Sequence, residues 1–97
     1  MADEDTPTVD GSSVPRRVVG AVQAEVDGEL VLLSPADFGY FGAEGPGPDV
    51  WALVDGERSV DAIVAELAGS YDVAAEEISG DVVDFVTALV AAGLAEV

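Results

Sequence analysis

The sequence contains no cysteine and no histidine. Without cysteine there is neither a disulfide framework nor a thiolate zinc site. Without histidine, Ser-His-Asp triads, Cys-His pairs and imidazole-ligated metals drop out, together with the side chain best suited to proton transfer near neutral pH. Bases are almost as scarce: Arg16, Arg17 and Arg58 stand against twenty acids, a formal net charge of -17. Nucleic acid affinity depends on Lys and Arg displacing counterions from phosphates, so DNA and RNA are repelled, and anionic membranes are disfavoured likewise. No apolar run approaches the roughly 20 residues that span a bilayer, and the N-terminus lacks the basic-then-apolar pattern of a signal peptide. A cytoplasmic location is expected.

What the chain does have is apolar residues, 49% of its 97, distributed at strand and helix spacings rather than in one block. That length allows one domain with one core. Residues 1–15 mix Asp3, Glu4, Asp5 and Asp10 with Thr, Ser, Gly and Pro, and read as a disordered acidic tail. The domain is expected over 16–97.

From Val18 to Val26 the apolar residues Val18, Val22, Ala24 and Val26 fall on even positions, the period of a half-buried strand. Asp27-Gly28 tolerates the positive φ of a type I′ turn, so Glu29 to about Ser34 folds back as a second strand. Ser34-Pro35-Ala36-Asp37 has turn chemistry. A third strand follows over about Phe38 to Phe41, with Gly39 and Gly42 leaving its backbone approachable. Gly45-Pro46-Gly47-Pro48 reads as a linker into a short helix, about Asp49 to Val54. Ser59 then caps a second helix with Val60, Ile63, Val64 and Leu67 on one stripe, ended by Gly69-Ser70. A third helix runs from about Ala74 to Ala92, with Gly80 inside it and Gly93 placed as a left-handed C-cap. Three antiparallel strands followed by three helices describe an α+β, winged helix-turn-helix-like domain.

Carboxylates are the only acid/base groups left. Glu76-Glu77 and Asp81/Asp84 lack the alternate acids, turn glycine and terminal glutamate of a calcium loop, so a solvated helix face is the simpler reading. No metal site and no cofactor are expected. The glycines at 42, 45 and 47 lack the lysine of a phosphate loop. Trp51, beside Val50 and Leu53, reads as core rather than as a ligand platform. As a DNA reader the third helix would present acids to phosphates, the wrong sign. The aromatic strand has two readings: a short edge contributing aromatics to the core, or an edge that captures a peptide as an additional strand. An apolar helix alongside would turn that edge into a groove.

The series Leu30-Val31-Leu32-Leu33-Ser34-Pro35, Tyr40-Phe41-Gly42, Val50-Trp51-Ala52-Leu53-Val54-Asp55-Gly56, Ser59-Val60-Asp61-Ala62-Ile63-Val64, Tyr71-Asp72-Val73, Asp81-Val82-Val83-Asp84-Phe85, Leu89 and Gly93-Leu94 resembles the PqqD-like family. These are RiPP recognition elements, which bind leader peptides of ribosomally made, post-translationally modified peptides. The resemblance spans about Val26 to Val97. It implies a non-catalytic module whose third strand pairs antiparallel with a leader, in a groove walled by the third helix. It also implies a separate maturation enzyme to which the leader is handed: a radical SAM protein in quinone-cofactor (PQQ-like) synthesis, a leader peptidase, or a cyclase. Carried over by position, the peptide-binding residues would be Asp37, Phe38, Gly39, Tyr40, Phe41 and Gly42 on the strand, with Asp81, Val82, Phe85 and Leu89 on the helix. Two departures stand out: Ala74 where a polar cap is usual, and a third helix without basic residues, which suits a leader with apolar anchors or some basic character. A different class, an acidic carrier or scaffold, would need a serine for a prosthetic arm, usually within Asp-Ser-Leu, and none is present.

Overall fold

The computed structural model describes residues 8–35, 39–43 and 45–97. The elements are β1 (Arg16–Arg17), β2 (Val22–Val26), β3 (Glu29–Leu33), β4 (Tyr40–Ala43), α1 (Gly47–Leu53), α2 (Val60–Tyr71), α3 (Ala75–Ala91) and β5 (Ala95–Glu96). β2, β3 and β4 form an antiparallel sheet in that order, and the three helices follow it. The expected α+β class of three strands and three helices is therefore the observed one. The β1–β5 ladder, Arg16 opposite Glu96 and Arg17 opposite Ala95, was not expected. Two-residue strands are too short to show a period.

Asp27 and Gly28 have φ of 55° and 82°, the two left-handed residues of a type I′ hairpin. β2 starts at Val22 rather than Val18, because Gly20, at φ 95°, and a bond from the Ala21 N–H to the Val18 carbonyl turn the chain first. The expected half-burial of β2 is also corrected. All five residues are exposed, and Val22 and Val26, the even positions, are 51% and 52% accessible. Alternation says which residues share a face, not which face turns inward. The register places Gln23, Leu32 and Phe41 side by side, and Leu32 has no exposed surface, so the inner face carries Gln23.

Gln23, although exposed, takes the inward-facing side of β2 for a reason that Trp51 supplies. The Trp51 indole is 3% exposed, and its Nε1–H donates to Gln23 Oε1 at 2.8 Å. The Arg17 guanidinium lies 4.5 Å from the ring centroid and donates to the Trp51 carbonyl at 2.7 Å. One side chain of α1 thus holds both β1 and β2. Around it Leu32, Val50, Val54, Val60, Ile63, Val82, Val86, Leu89 and Leu94 form the core.

Residues 8–15, expected as tail, are packed; residues 1–7 of that expected tail lie outside the described residues. Val9 and Pro15 are buried. The Ser13 and Gly11 carbonyls accept the Val60 and Asp61 N–H groups at 2.8 and 2.9 Å, and Ser59 Oγ accepts from Ala62. The first three amides of α2, which have no partner within a helix, are all satisfied this way. α2 also passes through Gly69-Ser70, where it was expected to stop, and ends at Asp72, φ 59°. The Tyr71 hydroxyl donates to Asp49 of α1, tying the last turn of α2 to α1. α3 closes with Gly93 at φ 77° and a bond from the Leu94 N–H to the Leu89 carbonyl, the six-to-one pattern of a glycine C-cap.

Two outcomes follow from this packing. Leu32→Ala is expected to lower unfolding free energy by about 3 kcal/mol, and Val22→Ala by under about 0.5 kcal/mol, in denaturant titrations; equal losses would reverse the face assignment. The Asp49 bond and partial burial raise the Tyr71 pKa above its ordinary value. The native state therefore binds that proton more tightly, and its advantage over Tyr71→Phe should be full below pH ~10 and shrink as pH rises beyond it.

Candidate functional site

The hydrogen-bond parity of the sheet decides what β4 shows to solvent. Ser34 N–H donates to the Gly39 carbonyl at 3.1 Å, so residues 34 and 39 are a hydrogen-bonded pair. Pairs alternate along an antiparallel ladder, which makes Leu32–Phe41 and Leu30–Ala43 bonded and Leu33–Tyr40 and Val31–Gly42 not. Tyr40 and Gly42 consequently turn their N–H and C=O groups away from β3. β4 is the last strand of its sheet, and among the described residues no backbone group pairs with that edge. By the same parity β2 turns out the backbone of Gln23 and Glu25, but there an exposed acid sits on the edge and all of the strand is solvated.

Beneath β4 lies α3. The inward Phe41 ring meets Phe85 edge-on, with centroids 5.7 Å apart and planes at 74°. Phe85 in turn lies over Gly47: a Cβ there would sit 2.8 Å from Phe85 Cε1 and 3.2 Å from Ala43 Cβ. These contacts join β4, α1 and α3 beside the open edge. Against Phe85 and Gly47 opens a cavity of about 410 Å³ lined by Pro46, Gly47, Asp81, Asp84 and Phe85.

Of the strand residues expected at the site, Asp37 and Phe38 lie outside the described residues. Gly39, Tyr40 and Gly42 are exposed, Tyr40 at 73%, and Phe41 is half-buried. The ordered strand runs two residues further than expected, because Gly42 is extended and Ala43 is buried opposite Leu30. On α3, Asp81 and Phe85 reach the cavity. Val82 and Leu89 do not: both have no exposed surface, which corrects their expected place in the groove. They lie on the stripe that holds α3 to the core, and that stripe and the groove-facing residues are adjacent on the same helix. Asp84 was not among the expected contacts, although its i+3 spacing from Asp81 signals a shared face. Pro46 and Gly47, read as linker, were missed because nothing in their sequence indicates what packs against them.

Other polar clusters serve turns. Asp55 accepts the Arg58 and Glu57 N–H groups, which lower its pKa, and the Asp10 carboxylate is lowered by the Ser12 hydroxyl and N–H that donate to it, with the Ser13 hydroxyl nearby. Among the described residues no group of acids is placed to hold a metal ion, and no helix is long and apolar enough to cross a membrane.

A family model described as coenzyme PQQ synthesis protein D (PqqD) matches residues 29–95. The chain is 36% identical over 87 residues to a Rhizobium meliloti (strain 1021) protein described as PqqA binding protein, spanning 88% of this chain and 87% of that one. Its fold matches the solution NMR structure of the PqqD truncation of Methylobacterium extorquens PqqCD, a functional and stand-alone RiPP recognition element. The TM-score is 0.79 at 28% identity, over 97% of this chain and 99% of the other. It also matches TbiB1 in complex with the TbiA(beta) leader peptide, with a TM-score of 0.71 and 30% identity over 84% and 94% of the two chains.

The tight seat of Phe85 on Gly47 gives a direct check. Gly47→Ala adds helix propensity but forces the ring to move, and at the first helical position the steric term wins. A loss of about 1–2 kcal/mol is expected, with the Phe41 and Phe85 ring resonances displaced in NMR spectra. Unmoved rings would show that the groove floor is not built this way.

Proposed function

The chain belongs to the PqqD family, and on that premise we propose that its β4 edge takes up the leader region of a ribosomally synthesised precursor peptide as an added antiparallel strand. The single observation that carries this reading is the outward-turned backbone of Tyr40 and Gly42, set above a groove floored by Phe41 and Phe85. Main-chain bonds along an edge supply affinity and register, and pockets for alternate side chains supply selectivity. Two relatives favour the same reading: one is described as binding PqqA, and another is a complex with a leader peptide.

The role is presentation rather than catalysis. The chain has neither histidine nor cysteine, and among the described residues the cavity lining sets no nucleophile beside its two solvent-exposed acids. The chemistry on the precursor then falls to a separate enzyme: a radical SAM protein, a leader peptidase or a cyclase. In this proposal the complex works in the cytoplasm, where precursors are made.

Gly42→Pro tests the edge with little damage to the fold. Its N–H faces away from β3, the backbone is extended, and an added Cβ meets nothing within 4 Å. Titration of a labelled PqqA leader peptide should shift the amide signals of Tyr40 to Ala43 in the parent. The substitution should weaken binding about tenfold while the far-ultraviolet circular dichroism stays unchanged. Equal affinity of parent and variant would reject the β4 edge as the site.

A further inference from the structure

Given strand addition at β4, on which the following rests, the chemistry of the cavity beside Phe85, the ring that meets Phe41, says what side chain the guest must bring there. The cavity there joins one aromatic ring, Phe85, and a proline-glycine corner, Pro46-Gly47, to two carboxylates, Asp81 and Asp84. The acids are three apart on α3 and therefore neighbours on one face, about 5–6 Å apart at Cβ, where like charges repel. Both are exposed, and neither forms an ion pair or hydrogen bond among the described residues. The chain's few cations are engaged elsewhere: Arg16 with Glu96, Arg58 with Asp55, and Arg17 on Trp51. Among the described residues no cation stands at this spot.

We infer that the guest segment carries a lysine or arginine at one fixed position, seated between Asp81 and Asp84 with its aliphatic stem along Phe85, beside an apolar residue that packs over the groove floor. The cation relieves the repulsion between the two acids, and its methylene stem covers the apolar part of the cavity while the head stays partly hydrated. A leader with an acid at that position meets two like charges within a Debye length, about 8 Å at physiological salt, and is rejected. The pair acts as a charge filter at one end of a binding mode whose main-chain part is indifferent to sequence.

The test separates this from non-specific attraction to an acidic protein. A displayed library of random twelve-residue peptides is selected on the full chain, and binders lost on Gly42→Pro are kept. These should share a Lys or Arg at a constant offset from an apolar residue. Its replacement by Gln should cost roughly fivefold in affinity on the parent and almost nothing on Asp81→Asn/Asp84→Asn. The control Glu57→Gln/Glu66→Gln removes two exposed charges outside the cavity and should keep the full fivefold dependence. Edge-dependent binders with no base at a fixed position, or a base that matters equally in both variants, would overturn the charge filter and leave strand addition standing. A library yielding no binder sensitive to Gly42→Pro would overturn strand addition, and the filter with it.

Discussion

Trp51 sets where the sheet sits. Its indole fills the space under β2, yet the ring nitrogen must find an acceptor once buried, because an unpaired donor in the core costs about 1–3 kcal/mol. Gln23 provides that acceptor, and to do so it takes the inward side of β2, sending Val22, Ala24 and Val26 to the solvent face. The register then carries the same parity through Leu32 to Phe41. A single polar atom in α1 is thereby linked to the direction in which an aromatic ring points two strands away. A one-residue slip would turn Leu32 outward and remove Phe41 from Phe85.

The same parity governs the backbone. In an antiparallel sheet each residue gives both of its polar groups to one neighbour, so the choice that turns the Phe41 main chain toward β3 frees Tyr40 and Gly42. The side-chain floor and the main-chain rail of the groove come from alternate residues of one short strand, and neither can be shifted without the other. Sheets usually blunt such an edge with charge, proline or a covering element. β2 does so through Glu25, whereas β4 carries glycine, and its acids stand off on α3.

Much of this could be read from the chain. Asp27-Gly28, Ser59, the stripe of Val60, Ile63, Val64 and Leu67, and Gly93-Leu94 each act through local chemistry, and local chemistry is visible in sequence. The strand edge was legible too, as an aromatic run broken by glycines. What escaped depends on distant partners. The inward face of β2 turns on an indole 28 positions away, the seat of residues 8–15 on α2 involves carbonyls that every residue has, and Gly47 matters only because Phe85 lies over it. Val82 and Leu89 were placed in the groove by position through the family resemblance, and a spacing of three or four residues does not separate the core stripe from the rim next to it.

The pairing of β1 with β5 ties the two ends of the fold to each other, Arg16 against Glu96 through both backbone and an ion pair. Because β1 also reaches Trp51 through Arg17, the closing ladder is mechanically in series with the sheet. Loosening that seam would therefore also loosen the Arg17 contact that braces the Trp51 ring.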